Sequence, residues 1–299
     1  MGQLFIMLYA SFPFKEFGNS LSTGLWFPYM YRNNGNEIGV YATYPFPEEW
    51  TQQWFDDYKL VDEDFFRNIY KKRQRPDNLI MEKKEIEKLI FKIRRDIKEE
   101  IRHDSIRSLP LPDFKRELKD PYIIIIPVVY EYIAEIEGWD SHPRRWRHSL
   151  CFDNWLYISE YIRERNVKII CFGDDSSCSE DHLKALGDDY FYIERKNIKI
   201  CNDYLPSQLK WMKNAITTIA LGGALHIGFT FEGISVIGYD KKIKNKYENL
   251  IPILQQKRDD LHFTTDPISL EISDYTMPTI KRVHNIVASW IIEEIHKAT

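Results

Sequence analysis

The chain has 299 residues, a formal net charge of −4, 29% charged residues and 14% aromatic residues. This composition is globular and excludes a disordered chain. The small negative charge excludes a global bias towards nucleic acid, and no apolar run approaches the roughly 18 residues of a membrane-spanning helix. Cys151, Cys171, Cys178 and Cys201 form no Cys-x-x-Cys pair and no zinc spacing. They read as buried or free thiols in a reducing compartment, and a cytoplasmic location is the expectation.

Leu4–Ala10 is apolar without basic residues before it, so it reads as a first core strand and not as a signal peptide. A loop with Pro13 and Gly18-Asn19-Ser20 follows. Leu21–Tyr31 then suits a helix capped near Asn19 or Ser20. Asn33–Asn36 is a turn, and Glu37–Thr43 a second strand. Ile80–Arg102 reads as a long charged helix with Ile86, Leu89, Ile90, Ile93 and Ile97 on one face. Lys and Arg outnumber Asp and Glu between Lys71 and Lys119. Pro110, Pro112 and Pro121 mark a domain boundary, dividing the chain into residues 1–119 and 120–299.

The second half opens with a strand, Tyr122–Val129. Asn154–Arg165 reads as a helix, Val167–Phe172 as a strand, Ser179–Leu186 as a helix, Tyr190–Glu194 as a strand and Leu205–Asn214 as a helix. Pro278–Lys297 is a final amphipathic helix whose stripe runs from Ile280 to Ile295. Most informative is Ala215–Tyr239, where an apolar β-branched run meets Gly222-Gly223-Ala224, a short helix ending at Gly233, and a second apolar strand, Ile234–Gly238. Free N–H groups and the helix dipole make such a turn a natural anion site. From the spacing alone, an ordinary βαβ unit with tight glycine packing is the plainer reading. Each half therefore looks like a Rossmann-type unit, and the predicted fold class is α/β, two Rossmann-like domains with parallel sheets flanked by helices.

This order of segments resembles the lipopolysaccharide heptosyltransferases, enzymes of the two-Rossmann GT-B fold. In that family the first strand leads to a Gly-Asp loop, where this chain has Gly18-Asn19. The family's basic residue two before a Trp is matched by Arg144-Arg145-Trp146, and its strand ending in glycine by Cys171-Phe172-Gly173. Its Asp-Ser/Thr-Gly-x-x-His element is matched by Leu221-Gly222-Gly223-Ala224-Leu225-His226. Two positions depart: Leu221 stands for the family's Asp, and Asn19 for the Asp proposed as catalytic base. An amide is no useful proton acceptor near neutral pH. The resemblance also implies that the terminal helix packs back on the first domain, the acceptor domain, while the second binds the nucleotide-sugar.

On this resemblance the chain is a glycosyltransferase taking a nucleotide-sugar donor, inverting and metal-independent, with no cofactor. Gly222, Gly223 and Ala224 would supply N–H groups to the diphosphate, and Arg144 or Arg145 a forked guanidinium. His226 is either a satisfied helix-face histidine or a donor to phosphate or sugar. Gly173-Asp174-Asp175 ends a parallel strand, where a carboxylate holds a ribose or base unless Asp174 merely caps. Glu16, in the loop after strand one, is the general-base candidate, beside Asn19 in the catalytic position. Asp62-Glu63-Asp64 has a metal-type spacing but reads better as a helix start.

The run Lys71-Lys72-Arg73-Gln74-Arg75 points to a polyanionic acceptor: a glycolipid or glycan, or nucleic acid. One alternative is therefore glycosylation of a modified base in DNA, with Trp50, Trp54 and Tyr58 as stacking candidates or core residues. Another is a catalytically inactive GT-B relative that binds sugars or partners.

Overall fold

The computed structural model describes residues 8–12, 21–65, 103–116, 118–138, 148–198, 203–239, 250–264 and 276–299. The predicted helix 80–102 and the basic run 71–75 lie outside them, as does Cys201. Two compact units emerge. The first comprises Met1–Pro112 with Phe229–Glu232 and Asn249–Leu254; the second comprises Asp113–Gly228, Gly233–Glu248 and Gln255–Thr299.

In the first unit, β1 (Leu8–Phe12), β2 (Ile38–Ala42) and β3 (Asp57–Leu60) form a parallel sheet in the order β1-β2-β3. A π-helical turn, Ser22–Trp26, runs into α1 (Phe27–Asn33), and α2 (Glu48–Trp54) joins β2 to β3. Its core is aromatic. Phe46 and Trp54 meet edge-on at 5.2 Å, Trp54 lies 5.7 Å from Phe231, and Trp26 lies 5.6 Å from Phe229. The indole N–H groups donate to backbone carbonyls, Trp26 to Arg107 at 2.9 Å and Trp54 to Pro110 at 2.7 Å. Trp50 and Trp54 are buried, and the Tyr58 hydroxyl donates to the Tyr44 carbonyl at 2.7 Å. Trp50 and Trp54 are thus core residues, while Tyr58 is half-buried with its hydroxyl turned to the backbone.

The second unit holds a six-stranded parallel sheet: β4 (Tyr122–Ile126), β5 (Lys168–Asp174), β6 (Asp189–Ile193), β7 (Thr218–Leu221), β8 (Val236–Tyr239) and β9 (Leu261–Thr264). The order is β6-β5-β4-β7-β8-β9. β4, Tyr-Ile-Ile-Ile-Ile, sits centrally because a strand covered on both faces needs a continuous apolar run. Its helices are α3 (Tyr130–Glu137), α4 (Phe152–Arg163), α5 (Glu180–Leu186), the short α6 (Arg195–Ile198) and α7 (Tyr204–Asn214); α8 (His226–Thr230) begins in this unit and ends in a first-unit segment, α9 (Ile251–Lys257) begins in a first-unit segment and ends in this one, and α10 (Met277–Ala298) closes the chain within it. The apolar stripe of α10, Ile280, Val283, Val287, Ile291 and Ile295, is buried in the core of this unit, with the helix along α4 and β8. Each such side chain contributes about 1.5–3 kcal/mol. Cys151, Cys171 and Cys178 are buried free thiols whose burial pushes their ionisation up, to about 12 for Cys151 and Cys178, so they are inert at neutral pH.

One pinning device occurs in both units. Asp56, just before β3, accepts the Ile38 N–H of β2 at 2.8 Å and pairs with Arg32 from α1 at 2.9 Å. Asp188, just before β6, accepts the Ile169 N–H of β5 at 2.8 Å, with Arg163 of α4 at 3.7 Å. In each case a carboxylate ties a strand start to the end of the helix that precedes that strand.

Candidate functional site

In the second sheet the chain runs outward from β4 to β5 and β6, then returns to the other side of β4 as β7. The crevice beyond the carboxyl ends of β4 and β7 is thus the topological switch point, where open α/β sheets bind ligands. The glycine turn lies there. Gly222 has φ +56°, a backbone that only glycine adopts at little cost. A 3₁₀ turn, Gly222–Leu225, leads directly into α8, and Leu221 before it offers no side-chain cap. Gly223 is exposed, Ala224 half-buried and His226 buried. The His226 side chain is 3% exposed.

A strap of four residues, His148 to Cys151, covers the other side. A Cβ built on Gly222 would stand 2.9 Å from the His148 Cβ, so glycine is also required by close approach. Leu150 is clamped to the end of β4: its N–H donates to Val128 at 3.1 Å, and its carbonyl accepts from Tyr130 at 2.9 Å. The Phe152 N–H, at the start of α4, donates to Glu131 Oε2 at 3.0 Å, and the Trp155 indole N–H donates to the Val128 carbonyl at 3.1 Å. Glu131 as a helix-start acceptor carries no signal in the sequence, since its partner is 21 residues away.

At the end of β5, Gly173 is a packing glycine, because a Cβ there would meet Cys178 Sγ at 2.6 Å. Asp174 organises the turn that follows. Its Oδ1 accepts Ser176 N–H at 2.8 Å and Ser176 Oγ–H at 2.5 Å, while its carbonyl accepts Ser177 N–H at 3.0 Å. The next residue, Asp175, accepts the Arg195 N–H at 2.9 Å, and its carbonyl takes the Tyr132 hydroxyl at 3.2 Å. Burial pushes the Tyr132 and Tyr192 phenols up, that of Tyr192 to about 12, with the neighbouring Asp175 acting in the same sense.

Glu16, Asn19, Arg144 and Arg145 lie outside the described residues. Asp62 accepts the Phe65 N–H at 2.6 Å, the bond of a helix N-cap. Among the described residues no group of three His, Cys, Asp or Glu is placed to hold a metal ion, and no helix is long and apolar enough to cross a membrane. Leu221, standing for the family's Asp, is 1% exposed and packed with Ile219 and Ile237. Leu221→Asp is therefore expected to destabilise the protein by roughly 3 kcal/mol or more in thermal or urea melts, because it buries a carboxylate among aliphatic groups. A melt unchanged from wild type would show that the position opens to solvent.

No protein-family model and no curated protein sequence matches the chain. Solved structures do. The dodecameric iron-containing heptosyltransferase TibC, in complex with ADP-D-β-D-heptose, superposes with a TM-score of 0.54 at 13% identity, covering 99% of this chain and 78% of TibC. A family 9 glycosyl transferase from Veillonella parvula superposes with a TM-score of 0.52 at 10% identity, covering 100% of this chain and 98% of its own. The likeness is one of fold: parallel sheets flanked by helices, the α/β architecture of these GT-B glycosyltransferases.

Proposed function

We propose that the protein is a glycosyltransferase that moves a sugar from a nucleotide-sugar donor to a hydroxyl acceptor, inverting and without a metal. The observation that carries this is the glycine turn at the switch point of the second sheet, capped by no side chain and flanked by His148. Arg145 is three residues before His148 in sequence, so their Cα atoms are within about 11 Å of each other in any conformation. A guanidinium and a row of backbone N–H groups can thus converge on one diphosphate. They would neutralise the charge on the departing group, the work a divalent ion does in other transferases. His226 would donate to a phosphate or sugar oxygen. Gly173 and Asp174 shape the neighbouring strand end, with the 174–177 turn beside the nucleoside. Glu16 would take the acceptor proton, with the Asn19 amide beside it as a hydrogen-bonding group. TibC's ADP-heptose makes an ADP-linked sugar the first donor to try, and the basic 71–119 stretch suits a phosphorylated glycolipid or glycan acceptor.

A second reading has a specific observation behind it. Leu221 is buried core where the family has Asp, which suits a relative that binds nucleotide-sugars without turning them over. A thermal-shift screen of nucleoside diphosphates and nucleotide-sugars tests binding, since a ligand at a hundredfold its Kd adds about 2.7 kcal/mol of stability. Release of free nucleotide from the stabilising donor then separates enzyme from inactive binder. Turnover should persist in excess EDTA and weaken with added salt, because the proposed contacts are ionic. Loss in EDTA restored by Mg²⁺ or Mn²⁺ would refute the metal-free mechanism.

A further inference from the structure

The terminal helix reaches the strap through one buried histidine. His284 of α10 is 1% exposed; its Nδ1 accepts the Cys151 backbone N–H at 3.1 Å and lies 3.2 Å from Cys151 Sγ. Tyr130 meets the ring edge-on at 5.4 Å, and one residue along the helix Asn154 donates to Asn285 Oδ1 at 2.7 Å. A ring nitrogen that accepts from an amide carries a lone pair, so this imidazole is neutral with its proton on Nε2. Protonation would set N–H against N–H where water is excluded. The ionisable groups nearest to it are these. The Cys151 thiol stays protonated, held up by burial and by Glu131. Glu131 already accepts from Phe152, and beyond it Asp153 of α4 and Lys281 of α10 are charges of opposite sign. From β8, also packed under α10, Tyr239 is the one ionisable side chain.

We propose that neutral His284 is a positioning residue for the nucleotide site: holding the Cys151 amide, it keeps the strap and the His148 side chain pressed on Gly222, so acid frees the strap and weakens nucleotide binding. The effect on binding rests on the nucleotide reading of the glycine turn; the effect on the strap does not. A released imidazole takes its proton near pH 6.5 while the held one resists it, so acid favours the released strap by about tenfold between pH 7.5 and 5.5.

The test compares wild type with His284→Gln, whose amide oxygen can accept the same N–H but does not titrate. ADP is the probe, measured by calorimetry at pH 7.5, 6.5 and 5.5 at constant ionic strength. Its terminal phosphate takes a proton near pH 6 in both proteins, so only the difference between profiles counts. Wild type should lose at least about fivefold more affinity than the variant between pH 7.5 and 5.5, one proton allowing at most about tenfold per unit. Superimposable profiles overturn the proposal. Hydrogen exchange of unliganded wild type gives a readout independent of both the variant and ADP. Corrected for intrinsic rate, protection of a 148–153 peptide should fall about tenfold over this range while that of β5 holds. Unchanged protection overturns the proposal even if the variant fails to fold. If ADP binds wild type at no pH, the reading of the turn fails, and exchange alone decides the role of His284.

Discussion

Replacing Gly222 by valine should cost stability and nucleotide binding together, whereas replacing Gly223 by valine should cost binding alone. At Gly222 two penalties add. The backbone sits at φ +56°, which a β-branched residue adopts only under strain of about 1–3 kcal/mol. Its Cβ would also stand 2.9 Å from that of His148, and neither backbone is free to retreat, so overpacking adds about 1–3 kcal/mol. A loss of roughly 2–6 kcal/mol should lower the melting temperature by about 3–10 °C. Gly223 is exposed, so its valine should change stability by about 0.5 kcal/mol or less while its branches cover the N–H groups offered to the diphosphate. Melting curves and ADP titrations of both variants check the pair. Wild-type nucleotide affinity in Gly223→Val would remove the turn from the site.

The second large effect is expected at Arg258→Met. Arg258 is nearly buried and forks onto both oxygens of Asp260, at 2.9 and 2.8 Å. It also donates to the Gly228 carbonyl at 2.6 Å and the Ile234 carbonyl at 2.8 Å. One guanidinium thus fastens both ends of the connection from α8 to β8. Methionine keeps the apolar stem but strands two carbonyls and a carboxylate. Removing one partner of a buried pair costs about 3–5 kcal/mol. Asp260 is 29% exposed and partly rehydrates, so roughly 2–4 kcal/mol is expected here. Arg258→Lys should recover less than half, because an ammonium has no planar fork. Urea unfolding measures both, and an Arg258→Met midpoint equal to wild type would show that the clamp is ornamental.

The sheet that carries the site was legible because its central strands are covered on both faces. Tyr122–Ile126, the Ile169–Phe172 centre of β5, and Thr218–Leu221 are written as continuous apolar or β-branched runs. Sequence shows such runs directly. The long amphipathic α10 was equally plain. β3, Asp-Tyr-Lys-Leu, and β9, Leu-His-Phe-Thr, were not, since short mixed edge strands carry no such pattern. α9 was hidden by Pro252, which a helix tolerates in its first turn. The glycine turn could be found from composition alone. What holds it in place could not: the Cys151–His284 bond joins residues 133 apart, and Glu131 reaches α4 from another helix. Asp174 could be placed at a strand end, but that its carboxylate serves the turn needed coordinates.

The make-up of the first unit has a consequence for the order in which the chain is made. Leu109 donates to the Thr230 carbonyl and accepts from the Glu232 N–H, and Phe229 and Phe231 complete the packing of Trp26 and Trp54. A ribosome delivers those phenylalanines only after more than a hundred further residues. Until then the nascent amino-terminal part exposes the aromatic faces that they later cover. The second sheet is nearly complete by β8, shortly after the same segment emerges. Maturation of the first unit is thus timed by the synthesis of the second, and during that interval its tryptophans are natural clients for chaperones.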